Sequence, residues 1–288
     1  MLTKELTTKI LDFIREQPRT IQDLALFLDK NWRTADRYID QLMQETGMIK
    51  TKTFRQGTRG AIKIVHWNSI EHTKGTHYQE RLHQRVLKGI KKEDFSPFDI
   101  YQFCKEEQRQ AYKETNEYNL SADVRFENLI KQATQQILFF SGNISWTEFD
   151  DSIYKTLEQL AKKKVKMNII TRVTFIEKEK IKKLLAINER VGWDAISIRH
   201  QEQPLRGMII DEHIISLKEV FKPETYREQE LNKKTFIFYL LKDQQWIGWL
   251  QKVFWNLWEH SIDAEERLQA LESITVPKPY KATKKRTP

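Results

Sequence analysis

A chain of 288 residues is long enough for two compact domains. With 39% hydrophobic and 31% charged residues against only 9 Gly and 7 Pro, it excludes a disordered or fibrous protein. A formal net charge of +9 favours a polyanionic partner such as nucleic acid, and a single Cys104 excludes an internal disulfide framework and a Cys-based zinc site. Seven scattered histidines lack ligand spacing, so neither metal nor cofactor is expected. No window approaches the roughly 18 apolar residues of a membrane span. The opening residues lack the apolar stretch of a secretory signal, so a soluble, cytoplasmic protein is expected.

Leu6, Ile10, Phe13 and Ile14 recur at helical spacing up to Gln17-Pro18, where proline cannot continue a helix. Thr20 predicts an N-cap for a second helix, with Asp23 as its capping-box partner and Ile21, Leu24, Ala25 and Leu28 inward. Asp29-Lys30 makes the turn. Asn31 caps a third helix that buries Ala35, Ile39, Leu42 and Met43 and ends at Gly47. Two strands follow, 48–54 and 61–67, joined by the basic, glycine-bearing loop 55–60.

Three helices and a hairpin in that order resemble the winged helix-turn-helix of archaeal and bacterial transcription regulators, over residues 1–75. In such modules the start of the third helix meets base edges and a basic wing meets phosphate. The predicted DNA contacts are Asn31, Arg33, Thr34, Arg37 and Tyr38 on the helix, with Arg55, Gln56, Thr58 and Arg59 on the wing. The alternative use of the same face is a protein contact. Trp32 is expected to pack against the second helix.

Residues 76–122 read as a helical connector, with helices over 77–90 and 97–118, the second started by Ser96-Pro97. Phe95, Phe98, Ile100, Tyr101, Phe103 and Cys104 crowd into a packed junction, which serves either self-association or an intramolecular bridge between domains. Cys104 is expected to be buried rather than reactive.

From residue 123 to 276 strands and helices alternate: strand 136–140, helix 149–163, strand 166–170, helix 176–191, strand 195–199. Two such crossovers imply a parallel sheet covered by helices, an α/β domain. Segments 205–211 and 213–217 form two strands around a tight turn, and strand 235–241 leads into a helix carrying Trp246, Trp249, Phe254, Trp255 and Trp258. That helix reads as core or dimer interface.

Pro204, Arg206 and Asp211 resemble the phospholipase D superfamily signature, in which His, Lys and Asp stand at relative positions zero, two and seven. In that superfamily the His attacks phosphorus, and proline offers no lone pair for the task. Arg206 at the Lys position still suits an anion. No catalytic residue is expected, and the candidate ligand-binding residues are Asn143, Arg206 and Asp211. Asp211 has a second reading as a turn former, and His200 reads as a surface histidine at a strand end.

The order of winged helix, connector and degenerate phospholipase D-like domain, down to Phe254–Trp258, resembles the TrmB family of archaeal transcription regulators. The resemblance implies a non-enzymatic regulator of double-stranded DNA with a small-molecule, sugar-like effector. A homodimer would supply the second half of the phospholipase D-like site and present two winged helices to a palindrome. The lysines at 162–164 and 178–183 are expected to be solvated, and the basic tail 277–288 disordered. The alternatives are a phospholipase D-type nuclease or phosphodiesterase, and a non-catalytic nucleic-acid-binding adaptor.

Overall fold

The computed structural model describes residues 2–46, 49–55, 61–67, 76–116, 119–148, 152–227 and 231–273. Helix α1 (Lys4–Glu16) starts where the Thr3 hydroxyl accepts from the Leu6 amide and ends at an extended Gln17 before Pro18. A two-residue strand, β1 (Arg19–Thr20), leads into α2 (Ile21–Phe27). The predicted capping box forms there: Thr20 and Asp23 exchange backbone hydrogen bonds of 2.8 and 3.0 Å. Asn31 Oδ1 accepts from the Thr34 amide at the start of α3 (Trp32–Thr46), and the hairpin β2 (Ile49–Arg55) and β3 (Ala61–Trp67) completes a sheet of order β1-β3-β2.

The first core holds Ile10, Ile14, Leu24, Ala35, Ile39, Leu42, Ile49 and Val65, as the helical periods require. It also takes Tyr38, only 7% exposed, which the sequence reading had placed on the outer face. Tyr38 stands three residues after Ala35 and four before Leu42, so it shares their buried stripe. Trp32 departs in the other direction: it is 41% exposed, with the Arg33 guanidinium 5.5 Å from its ring centroid. The seven-residue α2 commits Ile21, Leu24 and Ala25 to the core and leaves the Trp32 ring exposed. Gly47, Gln56, Thr58, Arg59 and the tail lie outside the described residues.

The connector differs more. After α4 (Thr76–Lys88) and the short α5 (Phe98–Tyr101), residues expected to remain helical form a strand, β4 (Arg109–Glu114). It pairs antiparallel with β10 (Thr235–Leu241), every residue of which is buried. Without β4, the edge of that buried strand would leave its peptide groups unpaired, a cost that outweighs local helix preference.

The larger sheet also contains β5 (Gln136–Phe140), β6 (Lys166–Thr171), β7 (Ile196–His200), β8 (Gly207–Ile210), β9 (Ile214–Phe221) and β11 (Ile262–Asp263). Its order is β11-β7-β6-β5-β8-β9-β10-β4, parallel through β5, β6 and β7 and antiparallel elsewhere. Strand alternation divides the apolar side chains between two faces. Ile137, Phe139, Ile169, Met208 and Phe238 face a core closed by α6 (Phe126–Ile130), α7 (Ser152–Lys162), α8 (Lys178–Val191) and α10 (Ala264–Ser273). Leu138, Phe140, Ile209, Ile215 and Tyr239 face α9 (Gln244–Glu259), where Trp246, Trp249 and Phe254 are core residues. Among the described residues no helix is long and apolar enough to cross a membrane. Several expected surface lysines pair with acids, as Lys162 does with Glu158 and Lys178 with Glu272.

This second core does not stop at the α/β domain. Phe54, Ile62 and Ile64 on the β2–β3 hairpin enter it together with Leu82, Phe98, Tyr101 and Cys104. The Phe54 ring stands 6.0 to 6.2 Å from those of Phe98, Tyr101 and Tyr239. Arg85 ties the junction further, donating to Gln17 at 2.9 Å and to the buried Asp99 at 2.6 Å. Arg227 pairs with Asp29 in the turn before α3. The connector is therefore an intramolecular bridge, and burial pushes the Cys104 thiol up to about 12.

Glu219 lies at this junction, accepting from the Tyr239 hydroxyl at 2.8 Å. Burial, with the nearby Asp23 and Asp99, lifts its carboxyl to about 7 against the lowering hydrogen bonds of Ser96 and Tyr239. The folded chain thus holds this proton more tightly than the unfolded chain, whose Glu titrates near ~4.3. Stability is fully present below that value and declines as pH rises toward 7. Glu219→Gln keeps an acceptor for Tyr239, so its melting temperature should exceed the wild type's by roughly 5 °C at pH 8 and match it near pH 4. Equal shifts at both pH values would remove the carboxyl as the cause.

Candidate functional site

The outer face of α3 and the residue before it carry Asn31, Arg33 and Arg37, all exposed, and Thr34, half-buried. On β2, Lys50, Lys52 and Arg55 are exposed. Neither Arg33 nor Arg37 has a carboxylate partner among the described residues. Two acids of α3 are engaged by the hairpin instead: Lys63 on β3 reaches Asp36 at 2.6 Å and Asp40 at 2.9 Å. Those two hydrogen bonds and charges raise the Lys63 pKa although burial opposes them. Lys63 thereby sets the hairpin against α3 and offsets part of the negative charge beside the arginines. Sequence reasoning missed it, although acids four residues apart on one helix were the available signal.

A second feature lies at the carboxyl end of β5, the parallel strand that borders the antiparallel part of the sheet, a place where open α/β sheets commonly bind ligands. A cavity of about 330 Å³ opens between the 141–146 loop, residues 120–127 and strands β8 and β9. Asn143 and Arg206 both line it. Arg206 Nη1 donates to the carbonyls of Gln203 and Leu205 at 2.8 and 2.6 Å, which holds the guanidinium in place. Its plane lies so close to Gly142 that a Cβ there would stand 2.5 Å from Nε. Gly207, with φ +154°, is equally constrained, since a Cβ would stand 2.0 Å from the Ser216 carbonyl.

Asp211 is not part of this cavity. Its carboxylate accepts from the Thr134, Gln135 and Gln136 amides and the Thr134 hydroxyl at 2.8 to 2.9 Å. It is an anchor between the β8–β9 turn and the start of β5, with φ +48° at the turn itself. Burial raises its pKa, but those backbone donors outweigh it and leave the carboxyl below its usual range. The second reading, a turn former, is the one the structure supports. Pro204 is buried, and His200 Nδ1 accepts from the Val173 amide at 2.9 Å, so it is half-buried and engaged rather than a free surface histidine.

The aromatic wall of the cavity, Phe126, Phe139 and Trp146, was not anticipated as a site. Phe139 and Trp146 stack at 5.2 Å and 11°, and the indole N–H donates to Ser141 Oγ. These residues come from three segments, and only the Ser141–Trp146 turn was visible locally.

No family model and no curated protein matches the chain. The chain is similar to TrmBL2. The solved structure of that archaeal chromatin protein, described as showing a novel mode of DNA binding, is 13% identical, spans 89% of this chain and 91% of its own, and has a TM-score of 0.39. Nuc from Salmonella typhimurium, a phospholipase D family member, is 13% identical over 54% of this chain and 96% of its own, with a TM-score of 0.38. NucT from Helicobacter pylori is 12% identical over 54% and 99%, with a TM-score of 0.37. At such identities no residue's role transfers, and the site rests on its own geometry.

Proposed function

We propose that this protein is a sequence-specific, duplex-DNA-binding transcription regulator whose α/β domain binds a ligand without cleaving it. The supporting observation is the exposed face of the first two turns of α3, where Arg33 and Arg37 have no carboxylate partner among the described residues while Lys63 holds Asp36 and Asp40. A helix of this kind enters the major groove, where arginine reads guanine through paired hydrogen bonds. Lys50, Lys52 and Arg55 on the adjacent hairpin would meet phosphate. Paired copies of the chain would offer two α3 helices to the halves of one palindromic site.

Catalysis finds no support in the cavity. Among its described lining residues there is no histidine or cysteine, and its one carboxylate, Glu127, accepts from the Ser152 hydroxyl. A nucleophile paired with a base is missing from the set. The cavity instead suits an effector, whose presence would reach the winged helix through β9 and β10, the strands whose opposite face holds Phe54.

Gel-shift titration of random and genomic duplexes at 50 and 200 mM salt tests the reading. Random duplex should lose roughly a hundredfold in affinity across that range, as several phosphate contacts require. Selected genomic fragments should survive excess competitor. No retention of any duplex at the lower salt would overturn the proposal.

A further inference from the structure

We propose that the cavity beside Arg206 takes a planar aromatic acid, its anionic group on the guanidinium and its ring against the Phe126 and Trp146 wall. This inference rests on the reading of the α/β domain as ligand-binding and is independent of DNA binding.

Charge argues for the anion. Among its described lining residues, Arg125 and Arg206 stand against a single acid, Glu127. Arg206 Nη1 is committed to two backbone carbonyls, whereas Nε and Nη2 have no hydrogen-bond partner among the described residues. Those two N–H groups form one edge of the guanidinium, the fork that a carboxylate or phosphate engages side-on. Burial lowers the pKa of Arg206, against the opposing charge of Glu93, and the Arg172 charge adds to the lowering. Glu93 acts on Arg206 only through space, with no hydrogen bond between them among the described residues, so an anion on the free edge offsets the cost of its burial.

The wall argues for the ring. Phe126 and Trp146 stand 5.2 Å apart, Trp146 is held by Ser141, and Phe238 and Met208 complete an apolar side. A hydrated inorganic ion leaves this surface uncovered, whereas an aromatic ring gains its burial and offset stacking. The volume of about 330 Å³ falls within the range of small-ligand sites.

Calorimetric titration of the full chain with 1-naphthoate, 1-naphthyl phosphate, neutral 1-naphthamide, maltose and inorganic phosphate is the test. At least one of the two acids should bind, with the amide, the sugar and phosphate alone each weaker by about tenfold or more. The tighter acid identifies the anionic group. Arg206→Gln and Gly142→Ala, the second of which displaces the guanidinium, should each weaken the acid by about tenfold while leaving ligand-free duplex affinity unchanged. The wild-type comparison of acid with amide stands even if a variant misfolds. Equal binding of the neutral amide, tighter binding of maltose, unchanged binding by folded Arg206→Gln, or no binding of either acid would overturn the proposal, whatever the gel shifts show.

Discussion

Replacing Arg33 and Arg37 together by alanine is expected to lower duplex affinity on the order of a hundredfold with no change in melting temperature. The two residues stand four apart, so they project from one face of α3, and both are exposed. Neither contributes to a core or an ion pair among the described residues, which is why stability should not respond. Each arginine placed on a base edge is worth about 1 to 3 kcal/mol, and two together give the expected loss. The salt dependence separates base from phosphate contacts. Loss of two phosphate contacts would reduce the slope of log affinity against log salt by about 2, whereas loss of base contacts leaves the slope unchanged and relaxes sequence preference. Unchanged affinity would remove α3 as the recognition helix and leave the hairpin lysines as the interface.

The second large effect is on the junction. Phe54→Ala removes a ring that is 7% exposed and touches Phe98, Tyr101 and Tyr239 edge-on. Truncation of such a residue costs about 3 to 4 kcal/mol, which for a chain of this size lowers the melting temperature by roughly 10 °C. Because Phe54 sits between the domains and outside the first core, the loss should fall on docking. Limited proteolysis is then expected to cut the connector near α4 faster than in the wild type, releasing the α/β domain intact. A melting temperature within about 1 °C of wild type would show that the hairpin is not part of the second core. Fixed docking matters for function because it sets where α3 points relative to a second copy or to a ligand in the cavity.

The first three helices and the hairpin were legible because their signals are local: Pro18 stops α1, Thr20 and Asp23 cap α2, and Asn31 caps α3. The alternation in the α/β domain was equally plain, and so was the burial of Cys104. Misreadings fell where a residue's role depends on a distant partner. Tyr38 was placed outward on its chemistry, although its spacing put it in the core. The strand β4 exists because β10 needs an edge partner more than a hundred residues later. Asp211 matched a signature position, yet three amides from residues 134–136 claim its carboxylate.

The three helices and hairpin that carry Arg33 and Arg37 were determined by the sequence itself, since periodicity, caps and turn residues act within a few positions of the chain. Tertiary structure alone decided the rest. It drew Phe54 into a second core, turned the connector into part of a sheet, and closed a cavity around Arg206 while excluding Asp211. Those outcomes follow from the need to pair buried peptide groups and cover apolar faces, conditions met only between segments far apart in sequence.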